Sequence, residues 1–210
     1  MEEEFEISLF PIPGAVSFPE TIVPLHVFEP RYRLLIKEAV TKPRRIGVCH
    51  TKRVISPAKH HDSTEQALRS NQATYEPVTV FGAGFGQILD ITDDGRLLVE
   101  IEMDARYEII SEVQTLPYKI VRCRRFDDIE VEEDDIIALR ESVTARLIRM
   151  STELSDELAE VLRSDAWKEL SDEDFSFKIF QIVRLEPEML QQVLEMRTPR
   201  ERLRVLNNCL

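Results

Sequence analysis

Pro24-Leu25-His26-Val27-Phe28-Glu29-Pro30-Arg31-Tyr32 decides how the first half of the chain reads. It closes the short apolar run 22–27, where Pro24, after Pro11, Pro13 and Pro19, forbids a helix. Pro30 then suits the first turn of a helix, because its missing N–H is not needed there. Tyr32, Leu35, Ile36 and Ala39 follow at three- and four-residue spacing, giving that helix one apolar face. The block is therefore a strand that turns sharply into a helix.

Outward from it the pattern is mostly strand. Leu97, Val99, Ile101 and Met103 alternate with Leu98, Glu100 and Glu102, the period-two signature of a half-buried strand. Asp93-Asp94-Gly95 just upstream is hairpin turn chemistry. Further short apolar runs at 7–10, 46–50, 78–81, 85–91, 106–110 and 118–123 read as strands. Residues 51–76 lack a clear period and are expected to form a long loop.

A change of period marks the second half. Ile136, Leu139, Val143, Leu147 and Met150 form a helical stripe, and a second helix carries Leu158, Val161 and Leu162 behind Ser155. Ser171 with Asp174 resembles a capping box ahead of Phe177, Phe180 and Val183. Pro187 and Pro199 suit first-turn positions, and Leu203, Leu206 and Leu210 give the last helix its apolar face. The expected boundary is the run 127–135, with seven carboxylates in nine positions, read as a solvated linker or the first turn of a helix. The expectation is thus an α+β chain: a β-rich domain over 1–126 with one short helix, then an acidic linker and helical bundle over 127–210.

Composition bounds the function. The 210 residues carry 27 Lys+Arg against 39 Asp+Glu, a net charge of −12. No apolar run approaches the ~20 residues of a membrane span, so no membrane partner is expected. Met1 to Glu6 holds four glutamates and no apolar stretch, which argues against a secretory signal. Cys49, Cys123 and Cys209 are odd in number and widely spaced, so a disulfide framework is not expected and a reducing cytoplasm fits. The acidic balance disfavours nucleic acid.

The block resembles the signature of the Lon protease N-terminal domain family. Leu9-Phe10-Pro11-Ile12-Pro13 and Phe18-Pro19 precede it as they do in that family. Gly82 to Ile88 loosely resembles the family's G-T-x-A-x-I strand, Asp94-Gly95-Arg96 its turn, and Pro117-Tyr118 the dipeptide before its last strand. The close, Val193-Leu194-Glu195 and Glu201-Arg202-Leu203, is similar too. One departure is Met103, where the family usually has glycine, which puts the local backbone in question. The resemblance implies a PUA-like, mostly antiparallel β-barrel followed by helices. It also implies a non-catalytic module that recognises unfolded or partner polypeptide, with self-association as a dimer left open. Full Lon proteases add an ATPase and a serine-lysine peptidase. Among these 210 residues there is no G-x-x-x-x-G-K-[ST] loop and no G-x-S-x-G elbow. No cofactor and no catalytic residue is expected.

Candidate residues follow from charge. Between Ala39 and His61 there is no acidic residue, yet Lys42, Arg44, Arg45, Lys52, Arg53 and Lys59 are basic. Arg122, Arg124 and Arg125 add three more cations. If close in space, they form a basic patch that could steer a partner. The plainer alternative is neutralisation by the 127–135 run and the helical half. Within the block, Pro24, His26, Phe28, Glu29, Pro30, Arg31 and Tyr32 read as structural: His26 hydrogen-bonding the barrel, Glu29 complementing the helix dipole, Arg31 tied to acids or carbonyls. Cys49, His50, His60, His61 and Asp62 have zinc-compatible types but not zinc spacing. Beside the polypeptide reading stand two alternatives: an RNA-binding PUA-like module, and a small-molecule-binding protein.

Overall fold

A computed structural model describes residues 3–58, 70–131, 135–152 and 156–210. Lys59, His60, His61, Asp62 and Ser155 lie outside the described residues. The chain is a mixed α+β fold that divides into two compact units, Met1–Phe126 and Asp127–Leu210.

The first unit contains β1 (Glu4–Pro11), β2 (Ile22–Val27), α1 (Pro30–Thr41), β3 (Ile46–Cys49), β4 (Thr51–Ser56), β5 (Thr74–Pro77), β6 (Val80–Ile91), β7 (Leu97–Gln114) and β8 (Lys119–Arg125). Six strands form one sheet in the order β2-β7-β6-β3-β1-β8. Only β1 and β3 pair in parallel. β7 is long enough to serve three neighbours: Leu97 to Glu102 lie between β2 and β6, while Tyr107 to Gln114 pair with β8. Because β8 also pairs with β1, the hydrogen-bonded circuit β7–β6–β3–β1–β8 returns to β7. Register shifts in the β6–β7 and β7–β8 pairings supply the bending such closure needs.

Two apolar clusters fill this unit. Tyr32, Leu35, Ile36 and Ala39 of α1 bury against Val27, Ile46, Val99, Ile101 and Met103. Ile7, Leu9, Phe81, Tyr107, Val121 and Cys123 form the second cluster. Met103 is buried in β7 beside the register shift opposite Ala83 and Gly84, its N–H donating to the Thr21 carbonyl and its own carbonyl accepting from Glu20 N–H. The left-handed residue at that corner is Glu20, at φ 58°, so methionine meets no backbone strain.

Three strand expectations change. Residues 51–76 are not one long loop, since β4 and β5 pair as an antiparallel two-stranded sheet. The run 78–81, from Val80 on, and the run 85–91 belong to one strand, and so do 97–103 and 106–110. Gly82 and Gly84 do not end β6. A side chain on Gly84 would lie 1.7 Å from the Glu102 carbonyl, so glycine is what lets β7 approach at the bulge.

The second unit is helical: α2 (Ile136–Thr152), α3 (Asp156–Arg163), α4 (Asp165–Lys168), α5 (Asp172–Lys178) with a 3₁₀ turn Ile179–Gln181, α6 (Pro187–Glu195) and α7 (Pro199–Cys209). Ser171 caps α5, its hydroxyl accepting from Asp174 N–H at 3.0 Å, and Thr198 caps α7 through Glu201 N–H. The described part of the acidic run is not a solvated linker. Asp128 receives both Arg202 terminal nitrogens at 2.8 and 2.5 Å, Ile129 N–H donates to the Arg197 carbonyl, and Arg200 and Arg204 converge on Asp135. Arginines of α7 therefore strap the run onto the helices.

Candidate functional site

Arg31 organises the junction between β2 and α1. Its Nε donates to Glu29 Oε2 at 3.0 Å, Nη1 to Thr74 Oγ1 at 3.0 Å, and Nη2 to the Ala73 carbonyl at 2.7 Å. Its backbone N–H donates to Asn71 Oδ1, and Gln72 N–H donates to the same Glu29 carboxylate. Glu29 stands at the N-cap of α1, but its side chain makes no cap hydrogen bond. It turns instead toward Arg31 and Gln72, so the dipole role expected of it gives way to holding the segment 71–74. The guanidinium also lies 4.6 Å from the Tyr32 ring centroid, and Tyr32 stacks on Phe10 at 4.0 Å. Burial pushes the Tyr32 phenol up to about 12.

This anchoring leaves two adjoining concavities. The larger, about 280 Å³, is lined by Phe10, Pro11, Ile12, Pro13, Leu25, His26, Phe28, Tyr32 and Tyr75, with Glu29, Arg31 and Gln72 at its polar side. The smaller, about 130 Å³, lies between Ile55, Thr74 and Tyr75 of the β4–β5 sheet and Thr115 to Lys119 of the β7–β8 turn. Pro11, Arg31, Tyr32 and Tyr75 line both. At its far end Tyr118 Oη donates to Glu38 Oε2 at 2.6 Å, and burial, with Glu38 behind it, pushes that phenol up to about 12. The result is an apolar groove with few polar groups, suited to aliphatic and aromatic side chains.

Most residues read as structural in the block line this groove. His26 is exposed on its wall and its ring makes no hydrogen bond among the described residues, contrary to expectation. Pro24 is exposed on β2, and Pro30 opens α1. Sequence reasoning missed Tyr75, Ile55 and Leu116, which contribute the opposite wall. The block was the sharpest signal; Ile55 and Tyr75 fall in the segment 39–76, a candidate for binding as a stretch without either residue singled out, and nothing local marked Leu116.

The basic residues are not gathered as one patch. β3 runs parallel to β1 with Ile46 beside Ser8, which puts Arg44 and Arg45 near the β1 end where Arg122 lies opposite Glu6. Lys52 and Arg53 follow Cys49, which pairs with Pro11 at the other end. Their partners are also nearer than expected. Arg45 Nε meets Asp104 at 2.7 Å, Arg53 meets Glu76 at 2.6 Å, Arg122 meets Glu4 at 3.5 Å and Arg124 meets Glu108 at 2.7 Å. Lys52 donates to the Thr79 hydroxyl at 3.2 Å, Arg44 lies beside the Tyr118 hydroxyl and Arg125 faces Tyr107. Arg45 also packs over the Phe5, Phe85 and Tyr107 rings. Among the zinc-compatible residues, Cys49 is buried and His50 Nδ1 accepts from Gly14 N–H at 2.9 Å. No group of three metal-ligating side chains occurs among the described residues.

The model of the ATP-dependent protease La (LON) substrate-binding domain matches residues 6–210. The chain belongs to the Lon substrate-binding domain family. Lon protease 1 of Herpetosiphon aurantiacus is 26% identical over 211 residues, which cover 98% of this chain and 24% of that protein. The chain therefore spans about a quarter of that relative's length. Two solved structures share the fold. The N-terminal domain of Mycobacterium avium complex Lon protease superposes with a TM-score of 0.65 at 15% identity, covering 97% of this chain and 96% of that one. The Lon N-terminal domain protein from Xanthomonas campestris gives 0.56 at 19% identity, covering 96% of each chain. No helix among the described residues is long and apolar enough to cross a membrane.

Proposed function

We propose that this Lon-family chain is a non-catalytic recognition module that holds apolar stretches of unfolded or partner polypeptide in the groove beside α1, working in the cytoplasm. The observation that carries the reading is that residues of the family's own sequence block line two adjoining apolar concavities. The closed strand circuit, read as a PUA-like barrel, gives the groove a rigid floor. Pairing of Arg45, Arg53, Arg122 and Arg124 with carboxylates favours polypeptide over RNA, since a phosphate backbone needs uncommitted cations. In this reading those cations tune encounter rather than hold the ligand.

The test is binding of a fluorescent, permanently unfolded polypeptide to the whole chain across a salt series. Saturable binding that survives moderate salt, weakened about tenfold by Phe28→Ala or Tyr75→Ala, is expected, because each truncation removes a large apolar contact. Binding that disappears with salt, or that ignores both substitutions, overturns the groove as its site.

A further inference from the structure

A second face, outside the groove, lies on β2, β7 and β6. Residues directly opposite across strands share a face, so the register defines its rows. Ile22, Glu102 and Phe85 make one row, and Pro24, Glu100 and Gln87 the next. Leu98 extends the face between His26 and the bulge at Leu89. Ile22 is 62% exposed, Phe85 45%, Leu89 53% and Leu98 37%, with Arg45 lying over one part of the Phe85 ring at the edge of the face.

Charge adds to this picture, although Glu6, Glu20 and Asp93 likewise make no ion pair among the described residues. Glu4, Glu29, Glu76, Asp94, Asp104, Glu108 and Glu112 each pair with an arginine or lysine. Glu100 and Glu102, in the central strand of the exposed face, make no ion pair among the described residues. They stand two residues apart on one face, about 7 Å, Glu102 between Ile22 and Phe85 and Glu100 between Pro24 and Gln87. Three strands span roughly 10 Å, the width of one α-helix. A helix laid along β7 places residues i and i+4 about 6 Å apart along its axis, close to the spacing of the two carboxylates.

We propose that this face docks a cationic amphipathic helix of a partner polypeptide, with Lys or Arg at i and i+4 over Glu100 and Glu102 and leucine-like residues on either side. Exposed apolar area supplies the adhesion, and the unpaired carboxylates select the sign of the partner. The surface is separate from the groove, although His26 stands at their common border.

The experiment uses the whole chain and two labelled 16-residue helical peptides of leucine and alanine. One carries lysines at i and i+4; the other has glutamates there. Fluorescence anisotropy is expected to show the lysine peptide binding at least tenfold tighter, with the preference shrinking as salt rises. Glu100→Gln with Glu102→Gln, both on a solvated face, is expected to remove that preference. Phe85→Ser is expected to weaken both peptides, whereas Phe28→Ala in the groove leaves the lysine peptide unchanged. Equal affinity for the two peptides, an unchanged double variant, or loss of lysine-peptide binding in Phe28→Ala overturns the proposal. The unfolded-polypeptide assay reads the groove separately, so either site can fail alone. A dimer of the chain in sedimentation that Phe85→Ser dissociates and the lysine peptide displaces overturns it in favour of self-association.

Discussion

Arg31 and Arg202 perform related tasks in the two units, and the difference between them is instructive. Each guanidinium pins a segment that no helix or strand ladder would hold. Arg31 ties residues 71–74 to the start of α1 through Glu29, two hydroxyl and carbonyl acceptors and a tyrosine face. Arg202 ties Asp128 to α7, donating also to Ser176 Oγ at 2.9 Å, with the Phe177 ring 3.9 Å away. The Arg31 side chain keeps 10% of its surface and lines both groove cavities. Arg202 keeps none. One arginine shapes a surface; the other is core. The lesson is that similar hydrogen-bond lists have different consequences once water can or cannot replace the lost partner.

The largest expected effect is therefore Arg202→Met. It replaces a fully buried guanidinium, leaving Ser176 and the mostly buried Asp128 carboxylate opposite an apolar side chain, and removing one partner of a buried pair costs about 3–5 kcal/mol. Trp167, the single tryptophan, sits in the helical unit and reports its unfolding in urea. Arg202→Lys is not expected to rescue, because a point charge cannot reproduce the two-pronged contact. A loss under about 1 kcal/mol would break the comparison, since surface pairs contribute that much.

Arg31→Met should cost less, about 1.5–3 kcal/mol, because the freed groups can rehydrate from the groove. Its larger consequence is loss of unfolded-polypeptide binding as residues 71–74 shift. Far-UV circular dichroism in urea and the binding assay measure the two effects on one sample. If Arg31→Met destabilises as much as Arg202→Met, the contrast between surface and core fails.

This contrast also shows what could be read from the sequence. β2, α1 and the first half of β7 follow from apolar spacing and prolines, because their burial pattern is local. β4 and β5 do not: every residue from Lys52 to Ser56 is exposed, Val54 and Ile55 included, so no alternation marks a core face. Gly82 to Ile88 was legible as a strand only through its loose resemblance to the family's, since glycine normally weakens a strand, and contact with Ser17 and Glu102 explains Gly82 and Gly84. The acidic run read as solvated because its arginines stand 65 to 75 residues later. The groove was half legible. Its block was visible, but Tyr75 and Leu116 reach it through long-range pairing that no window detects.

Cysteine chemistry distinguishes the units more gently. Burial pushes the Cys123 thiol up to about 12 and raises Cys49 further, whereas Cys209 on α7 is exposed. The thiolate is the reactive form, so one thiol per native chain should react with an aromatic disulfide reagent, and three after unfolding in guanidinium. Rapid native labelling of more than one would mean that the strand unit opens more readily than its buried clusters imply.

Acid should produce the smallest effect and separates local from distant pairing. Hydrogen bonds from Thr92 and Arg96 hold Asp94 down at about 2, and Arg200, with Arg204, holds Asp135 below the usual carboxylate range. A carboxyl whose folded pKa lies below its unfolded value near 3.9 adds stability above that value and loses it as pH falls toward the folded pKa. For Asp94 the window is about pH 4 to 2. Asp94→Asn should flatten the acid response of the strand unit, read by Cys49 and Cys123 labelling at pH 7 after a brief acid pulse. Asp135→Asn should flatten the response of the helical unit, read by Trp167. Asp94 is bonded within two residues of itself, so its contribution persists in any state that keeps the hairpin turn. Asp135 depends on arginines 65 and 69 residues away, so its contribution ends when α7 leaves. Arg202→Met should therefore abolish the Asp135 response and leave that of Asp94 intact; loss of both would mean that the two units do not unfold separately.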